Sequence, residues 1–269
     1  MVTTFITWNA NPDIFNIGGF TLRWYGLTWA LSFFLGYLLF LWFLKRENRP
    51  SSLLDSLTTY MILGTVIGAR LGHCLFYEPA RYLAHPVEIL KVWNGGMASH
   101  GAALGILSAI FIFSKRNKMS FLNVMDKIVI CVALSGFLIR IGNLMNSEII
   151  GLPTTLPWGF VFNNATDFDK VPRHPAQLYE AIWCILVFAL LLYLFIKNYH
   201  INRDGLLFGI FIFAIFTFRF FIEFIKEKQV SFESHLTLNM GQLLSIPFAL
   251  AGLALIYYKL KNKTKTKEQ

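Results

Sequence analysis

Seven runs of about 20 predominantly apolar residues, each long enough to cross roughly 30 Å of hydrocarbon as a helix, constrain this chain more than anything else in it. They fall at 20–44, 54–77, 97–113, 121–144, 177–196, 205–225 and 240–258. Backbone polar groups have no water to bond to inside a bilayer, so each run must satisfy its own N–H and C=O groups as a helix. The composition agrees: 55% of the 269 residues are hydrophobic, 27 are Phe, and only 14% are charged. The sequence predicts an all-α integral membrane protein, a single polytopic domain over residues 1–269 with seven transmembrane helices.

Charge orients the spans, because Lys and Arg in short loops resist translocation. Segments 45–53, 114–120, 197–204 and 259–269 hold 13 of the 24 Lys and Arg residues, whereas 1–19, 78–96, 145–176 and 226–239 hold 6. The N-terminus is therefore expected outside and the C-terminus in the cytoplasm. Residues 1–19 lack the basic and apolar regions of a cleavable signal peptide, so the first span is expected to start insertion. The net charge of +9 resides mostly in inner loops and in the tail KLKNKTKTKEQ, which suits anionic lipid headgroups better than nucleic acid. Three cysteines, Cys74, Cys131 and Cys184, all fall within spans and are expected as packing residues.

The outer loops 78–96 and 145–176 are the long ones. The second contains GLPTTLPWGFVFNNATDFDKVPRHP, whose Pro, Gly and Asn turn signals punctuate short strands, so a small extracytoplasmic cap formed by outer loops is expected over the bundle.

Given this orientation, the polar residues within the spans gather near the outer face. Arg70 lies late in the second span, Arg140 late in the fourth, and Arg219 and Glu223 late in the sixth. Arg23 and Tyr25 open the first, His100 opens the third, and RHPAQLYE (173–180) leads into the fifth. Each has an ordinary explanation. Arg23 and Arg70 can snorkel to headgroups beside Trp24 and Tyr25. Arg219 and Glu223 can neutralise one another, His100 can be an interfacial hydrogen-bonding residue, and His174 before Pro175 reads as structural. Asp126 and Lys127 anchor the inner end of the fourth span. His73, His85, His200 and His235 form no ligand cluster, so neither a metal nor another cofactor is expected.

Arg140 and Arg219 are harder to explain that way. A charge at helix-centre depth costs about 2.5–3.5 kcal/mol on insertion scales and normally marks a polar pathway or a ligand. A guanidinium fork matches a phospholipid phosphate by bidentate, charge-assisted bonds. Asn143 and Asn146, three and six residues beyond Arg140, share its face if the helix continues, and Gly142 permits close helix contact. In WNGGMASHGAALG, Gly95 and Gly96 allow a reversal, Gly101 and Gly105 make a small-residue seam, and His100 has the pKa range of a general base.

IRIGNLMNSEIIG resembles the signature of the prolipoprotein diacylglyceryl transferases, Gly-Arg-x-Gly-Asn-Phe-x-Asn-x-Glu followed by Gly. The resemblance runs along the chain through IGGFTLRWYGL, GARLGHCLFY, WNGGMASHG, RHPAQLYE, FRFFIEF and MGQLLSIP. The chain departs from the pattern at Ile139, Leu144 and Ala102, and it has Lys226 where the family commonly has Arg. The resemblance implies a bacterial inner-membrane enzyme moving diacylglyceryl from phosphatidylglycerol to the lipobox cysteine of a preprolipoprotein, with glycerol phosphate leaving. It implies Arg140 for the lipid headgroup, Arg219 for the leaving phosphate, and Asn143 and Glu148 for the glycerol or for orienting Arg140. Glu223 would hold Arg219, His100 would be the base with Tyr25 as a hydrogen-bonding partner, and Asn146 and Arg70 complete the substrate-binding set. An outer-leaflet lipid-binding or transport protein is the rival reading, but a transporter should carry polar residues through its full depth, and the inner halves of these spans are almost wholly apolar.

Overall fold

The computed structural model describes residues 5–165, 168–227 and 238–262; His235, part of the outer loop 226–239 and most of the lysine-rich tail lie outside them. The chain is mostly helical. Among the described residues six helices are long and apolar enough to cross a membrane: α1 (Trp24–Arg46), α2 (Ser52–Phe76), α5 (Phe121–Met145), α6 (Ala176–Ile196), α7 (Leu206–Ile222, continued by a 3₁₀ turn to Ile225) and α8 (Met240–Lys261). Two shorter helices, α3 (Pro79–Ala84) and α4 (Ser99–Arg116), lie between α2 and α5. The chain is a multi-pass membrane protein. The third expected span corresponds to α4, whose 18 residues include His100, Lys115 and Arg116, so its apolar stretch is shorter than those of the other six.

The first helix starts four residues later than the apolar run predicts. Phe20–Arg23 form β3, the second strand of a hairpin with β2 (Asp13–Ile17), and the chain reverses at Gly18 and Gly19, whose positive φ values of 59° and 86° a side chain would disfavour. Arg23 sits opposite Asp13 in this ladder and pairs with it at 3.2 Å. The expected short strand in the 145–176 loop is β4 (Phe160–Phe162), which pairs in parallel with β1 (Ile6–Trp8). Leu144, Ile150, Phe160, Phe162 and Ala165 are buried under this pair, with Trp8, Phe168 and Leu178 packed against them.

The chain divides into two compact units, one comprising residues up to 39 and from 126 onward, the other 40–125. In the second unit, α2 and α4 meet through small residues. A Cβ on Gly68 would stand 2.7 Å from the Gly105 Cα, and one on Gly72 would stand 2.7 Å from the Gly101 Cα, so the two backbones touch where Gly101 and Gly105 were expected to form a seam. In the first unit, Gly142 plays the same part: a Cβ there would lie 3.1 Å from Cδ2 of Tyr25 and would strike the Thr28 hydroxyl. α7 begins after Gly205, at φ 95°, and its first N–H groups are capped from another helix. Buried Asp126 accepts from the backbone N–H of Gly205 at 2.7 Å and of Phe208 at 2.8 Å. The sequence-expected anchor is thus a long-range helix cap. α8 has a local one, a capping box in which Asn239 and Gln242 exchange side-chain to backbone bonds at 2.8 and 3.0 Å.

Candidate active site

In the first unit, the end of α5 supplies the polar run. The helix stops at Met145, and Ser147 and Ile149 take positive φ values of 53° and 58°. The chain therefore curls back, and Glu148 donates its backbone N–H to the Asn143 carbonyl at 3.1 Å. The curl sets the Glu148 carboxylate against the Asn143 amide, Nδ2 to Oε1 at 2.7 Å, while Asn143 Oδ1 accepts from Arg140 Nη1 at 3.2 Å. Asn146 lies just past the helix end, and its buried Oδ1 has no hydrogen-bond partner among the described residues.

Residues from α6 and the chain after α7 extend this line. Fully buried Gln177 donates to the Glu148 carbonyl at 2.9 Å, fixing the start of α6 on the end of α5. One turn on, Glu180 faces two cations, Arg140 Nε at 3.0 Å and Lys226 Nζ at 3.5 Å. Lys226 also lies 3.4 Å from Glu223, whose other oxygen accepts from Asn239 Nδ2 at 3.1 Å. Arg219 reaches Glu223 at only 3.8 Å and keeps a half-exposed side chain. Glu223 thus holds Lys226 and the α8 cap more closely than it holds Arg219. Arg140, Lys226 and Arg219 are matched by Glu148, Glu180 and Glu223, so the group is neutral as a set. Such matching is what permits charges to remain in an apolar surrounding.

Backbone pairing pins this part of the chain. Gly151 and Lys226 face each other in an antiparallel bridge, Leu152 N–H donates to the Ile225 carbonyl at 2.8 Å, and Gly151 N–H donates to the His174 carbonyl at 3.0 Å. Arg173 adds an ion pair to Glu227 and a bond to the Gly151 carbonyl. His174 Nδ1 lies 3.4 Å from the Tyr179 hydroxyl, which accepts from Trp158 Nε1 at 2.9 Å, and burial lowers the His174 pKa. Tyr25 is partly buried, packs on Gly142, and meets Trp29 edge-on with centroids 6.2 Å apart.

In the second unit, Arg70 is buried, and backbone carbonyls take up its guanidinium. It donates to Glu88 at 2.6 Å, Ile89 at 2.9 Å, Gly95 at 2.5 Å and Gly96 at 3.3 Å. Gly95 and Gly96 make the expected reversal, with φ values of 79° and 73°. His73, one turn on, stacks on Tyr77 and pairs with Glu78 at 3.4 Å. His100 is exposed in the first turn of α4 and makes no hydrogen bond among the described residues. Among the described residues no three His, Cys, Asp or Glu side chains converge as metal ligands.

Residues 12–258 match the family model described as prolipoprotein diacylglyceryl transferase. The chain belongs to this family. Similar proteins include the phosphatidylglycerol--prolipoprotein diacylglyceryl transferase of Chloroherpeton thalassium, 46% identical over 260 residues and covering 96% of each chain. The protein of that name from Tolumonas auensis is 46% identical over 259 residues, 96% of this chain and 99% of the relative. That of Bacteroides fragilis is 42% identical over 272 residues, 96% and 97% respectively. In this member of the prolipoprotein diacylglyceryl transferase family, Arg140, Asn143, Glu148, Arg219 and Glu223 all enter one unit, joined by Glu180, Lys226, Gln177 and Asn239, which sequence reasoning did not place in the site. Three of these four had a signal, Gln177 and Glu180 in RHPAQLYE and the noted lysine at 226; nothing marked Asn239.

Proposed function

We propose that the charged group around Arg140 serves transfer of the diacylglyceryl group of phosphatidylglycerol onto the lipobox cysteine of a preprolipoprotein. The chain is a phosphatidylglycerol-prolipoprotein diacylglyceryl transferase, acting at the first step of lipoprotein maturation. The thiolate attacks the glycerol carbon that carries the phosphate. A C–S bond forms, the C–O bond breaks, and glycerol phosphate leaves with the electron pair. This substitution makes no tetrahedral oxyanion; it demands a thiolate and a stabilised phosphate leaving group.

The observation that carries the site reading is the state of Arg140. Glu180 lies against its Nε as an ion pair at 3.0 Å, with Glu180 Oε2 left without a hydrogen bond among the described residues. Asn143 accepts from Arg140 Nη1, and about a quarter of the arginine side chain is exposed while Nη2 has no hydrogen bond among the described residues. A guanidinium held from behind with a free outer edge suits a phosphate. Arg140 takes the headgroup phosphate of the bound lipid, and Arg219, the more exposed cation, stabilises that same phosphate as it leaves with the glycerol. Asn143, Asn146 and Glu148 bind the glycerol and steady Arg140, and Glu223 holds the cations beside it. His100 is taken as the acceptor of the thiol proton, and Tyr25 as a hydrogen-bonding residue of the reaction. Arg70 contributes to substrate binding through the loop that it fastens.

The same reading makes the protein one functional domain crossing the inner membrane seven times. α4 is taken as the seventh crossing, since 18 residues rise about 27 Å and the helix ends in Lys115 and Arg116, as α1 ends in Lys45 and Arg46. The basic ends of α1, α4 and α8 support a cytoplasmic C-terminus and an N-terminus outside. The paired strands β1 and β4 and the 145–176 loop then form an extracytoplasmic cap. Mass spectrometry of a lipobox peptide incubated with the purified protein and phosphatidylglycerol tests the reading. A diacylglyceryl mass increase that Arg140→Ala abolishes is expected; no increase with folded wild-type protein refutes it.

A further inference from the structure

Four side chains in the first unit form a row of alternating charge: Arg140, Glu180, Lys226, Glu223. Glu180 and Lys226, the inner two, are nearly inaccessible, with side chains 9% and 7% exposed. Moving Lys226 toward a ligand would leave buried Glu180 and partly buried Glu223 without their shared cation, a costly arrangement. Arg140, at the end of the row, is 26% exposed and keeps its outer edge available. The two cations therefore cannot play equivalent parts, although both lie beside the same carboxylate.

We propose that Glu180 is a positioning residue. By bridging Arg140 and Lys226 it fixes the Nε edge of Arg140 so that the Nη edge meets the phosphate, and it keeps Lys226 as a counter-ion away from the substrate. Lysine at 226 fits that part, since a compact ammonium can serve one contact to each of two carboxylates without the fork that phosphate recognition favours. The inference rests on the reading of Arg140 as the headgroup ligand.

The test uses the purified full-length protein, a lipobox peptide and varied phosphatidylglycerol, with initial rates read from the thioether product. Misaiming a substrate-holding group by about 1 Å costs on the order of 100-fold. Glu180→Gln is expected to lower kcat by that order with little change in KM for phosphatidylglycerol. Glu180→Asp keeps the charge beside Lys226 but shortens its reach to Arg140, and it should lose less. Because Glu180 acts through Arg140, adding Glu180→Gln to Arg140→Lys should cost little beyond the slower single variant. Multiplying losses would instead mark Glu180 as a general structural residue and overturn the proposal. Wild-type kcat in Glu180→Gln, with or without a lower KM, would also overturn it, since Glu180 would then only screen positive charge. If Glu180→Gln fails to fold, wild-type kcat in Glu180→Asp overturns it equally. An active Arg140→Ala would defeat the headgroup reading and the proposal together. An inactive Arg140→Ala beside fully active Glu180 variants would defeat the proposal alone.

Discussion

Replacing Arg70 should release the segment between α3 and α4. Its guanidinium ties together the carbonyls of Glu88, Ile89, Gly95 and Gly96, all between 2.5 and 3.3 Å from its nitrogens. It also lies 5.0 Å from the Tyr82 ring centroid. At about 1.5 kcal/mol for each charged hydrogen bond, the low end for such bonds, four sum to about 6 kcal/mol. Carbonyls in a partly exposed loop regain water when released, so Arg70→Met should cost about 3 kcal/mol. Arg70→Lys, with one compact ammonium in place of a fork, should retain part of this. Hydrogen exchange across residues 85–98, with thermal unfolding in detergent, measures the effect directly. The loop amides should lose protection first and most. Wild-type protection in Arg70→Met would refute the assignment of these carbonyls as its partners, and a KM for phosphatidylglycerol that rises while the loop stays protected would point to direct phosphate contact.

Three further perturbations have expected outcomes. Gly142→Ala puts a methyl against Tyr25 and Thr28 and should cost about 1–3 kcal/mol of stability by overpacking, with diacylglyceryl transfer falling as Tyr25 is displaced; a fully active, equally stable variant would contradict the close approach. Asp126→Ala leaves the Gly205 and Phe208 N–H groups without their acceptor and should cost about 2 kcal/mol, read by thermal unfolding with exchange at the start of α7. Burial holds the His174 pKa below its ordinary 6.5. Its contribution to stability is then full above that value, declines as pH falls below it, and levels off once the folded state is also protonated. His174→Asn should flatten that acid slope in unfolding scans, and an unchanged slope would exclude His174 as its source.

The sequence reading recovered the six long apolar helices because crossing a bilayer demands long apolar runs, and it singled out the arginines because charge inside such runs is conspicuous. Its misses share a physical cause. Phe20 and Leu22 extend the apolar run of the first span, so composition does not separate β3 from the helix beginning at Trp24. β1 is three residues long, too short for a period of two to register, and its partner β4, the expected short strand, lies about 150 positions away, so their pairing left no local pattern. Arg70 drew notice as a cation late in the second span that could snorkel to headgroups, but its partners are backbone carbonyls 18 to 26 residues away. Every residue carries a carbonyl, so no side-chain pattern marks the ones it uses.

Glu180 shows the same limit from the opposite side. A glutamate in the second turn of a helix is an ordinary surface feature, and helix-dipole attraction alone would account for it. It becomes part of the site because fully buried Gln177, on the preceding turn, binds the Glu148 carbonyl and fixes that side of α6 against the end of α5. Once Glu180 is held between Arg140 and Lys226, the neutral pairing of the group follows, and with it a division of labour that a count of arginines does not give. Buried Lys226 is committed to carboxylates on both sides, whereas Arg140 and Arg219 retain exposed surface. A free edge, more than formal charge, is therefore what separates a cation that can meet a phosphate from one that holds the site together.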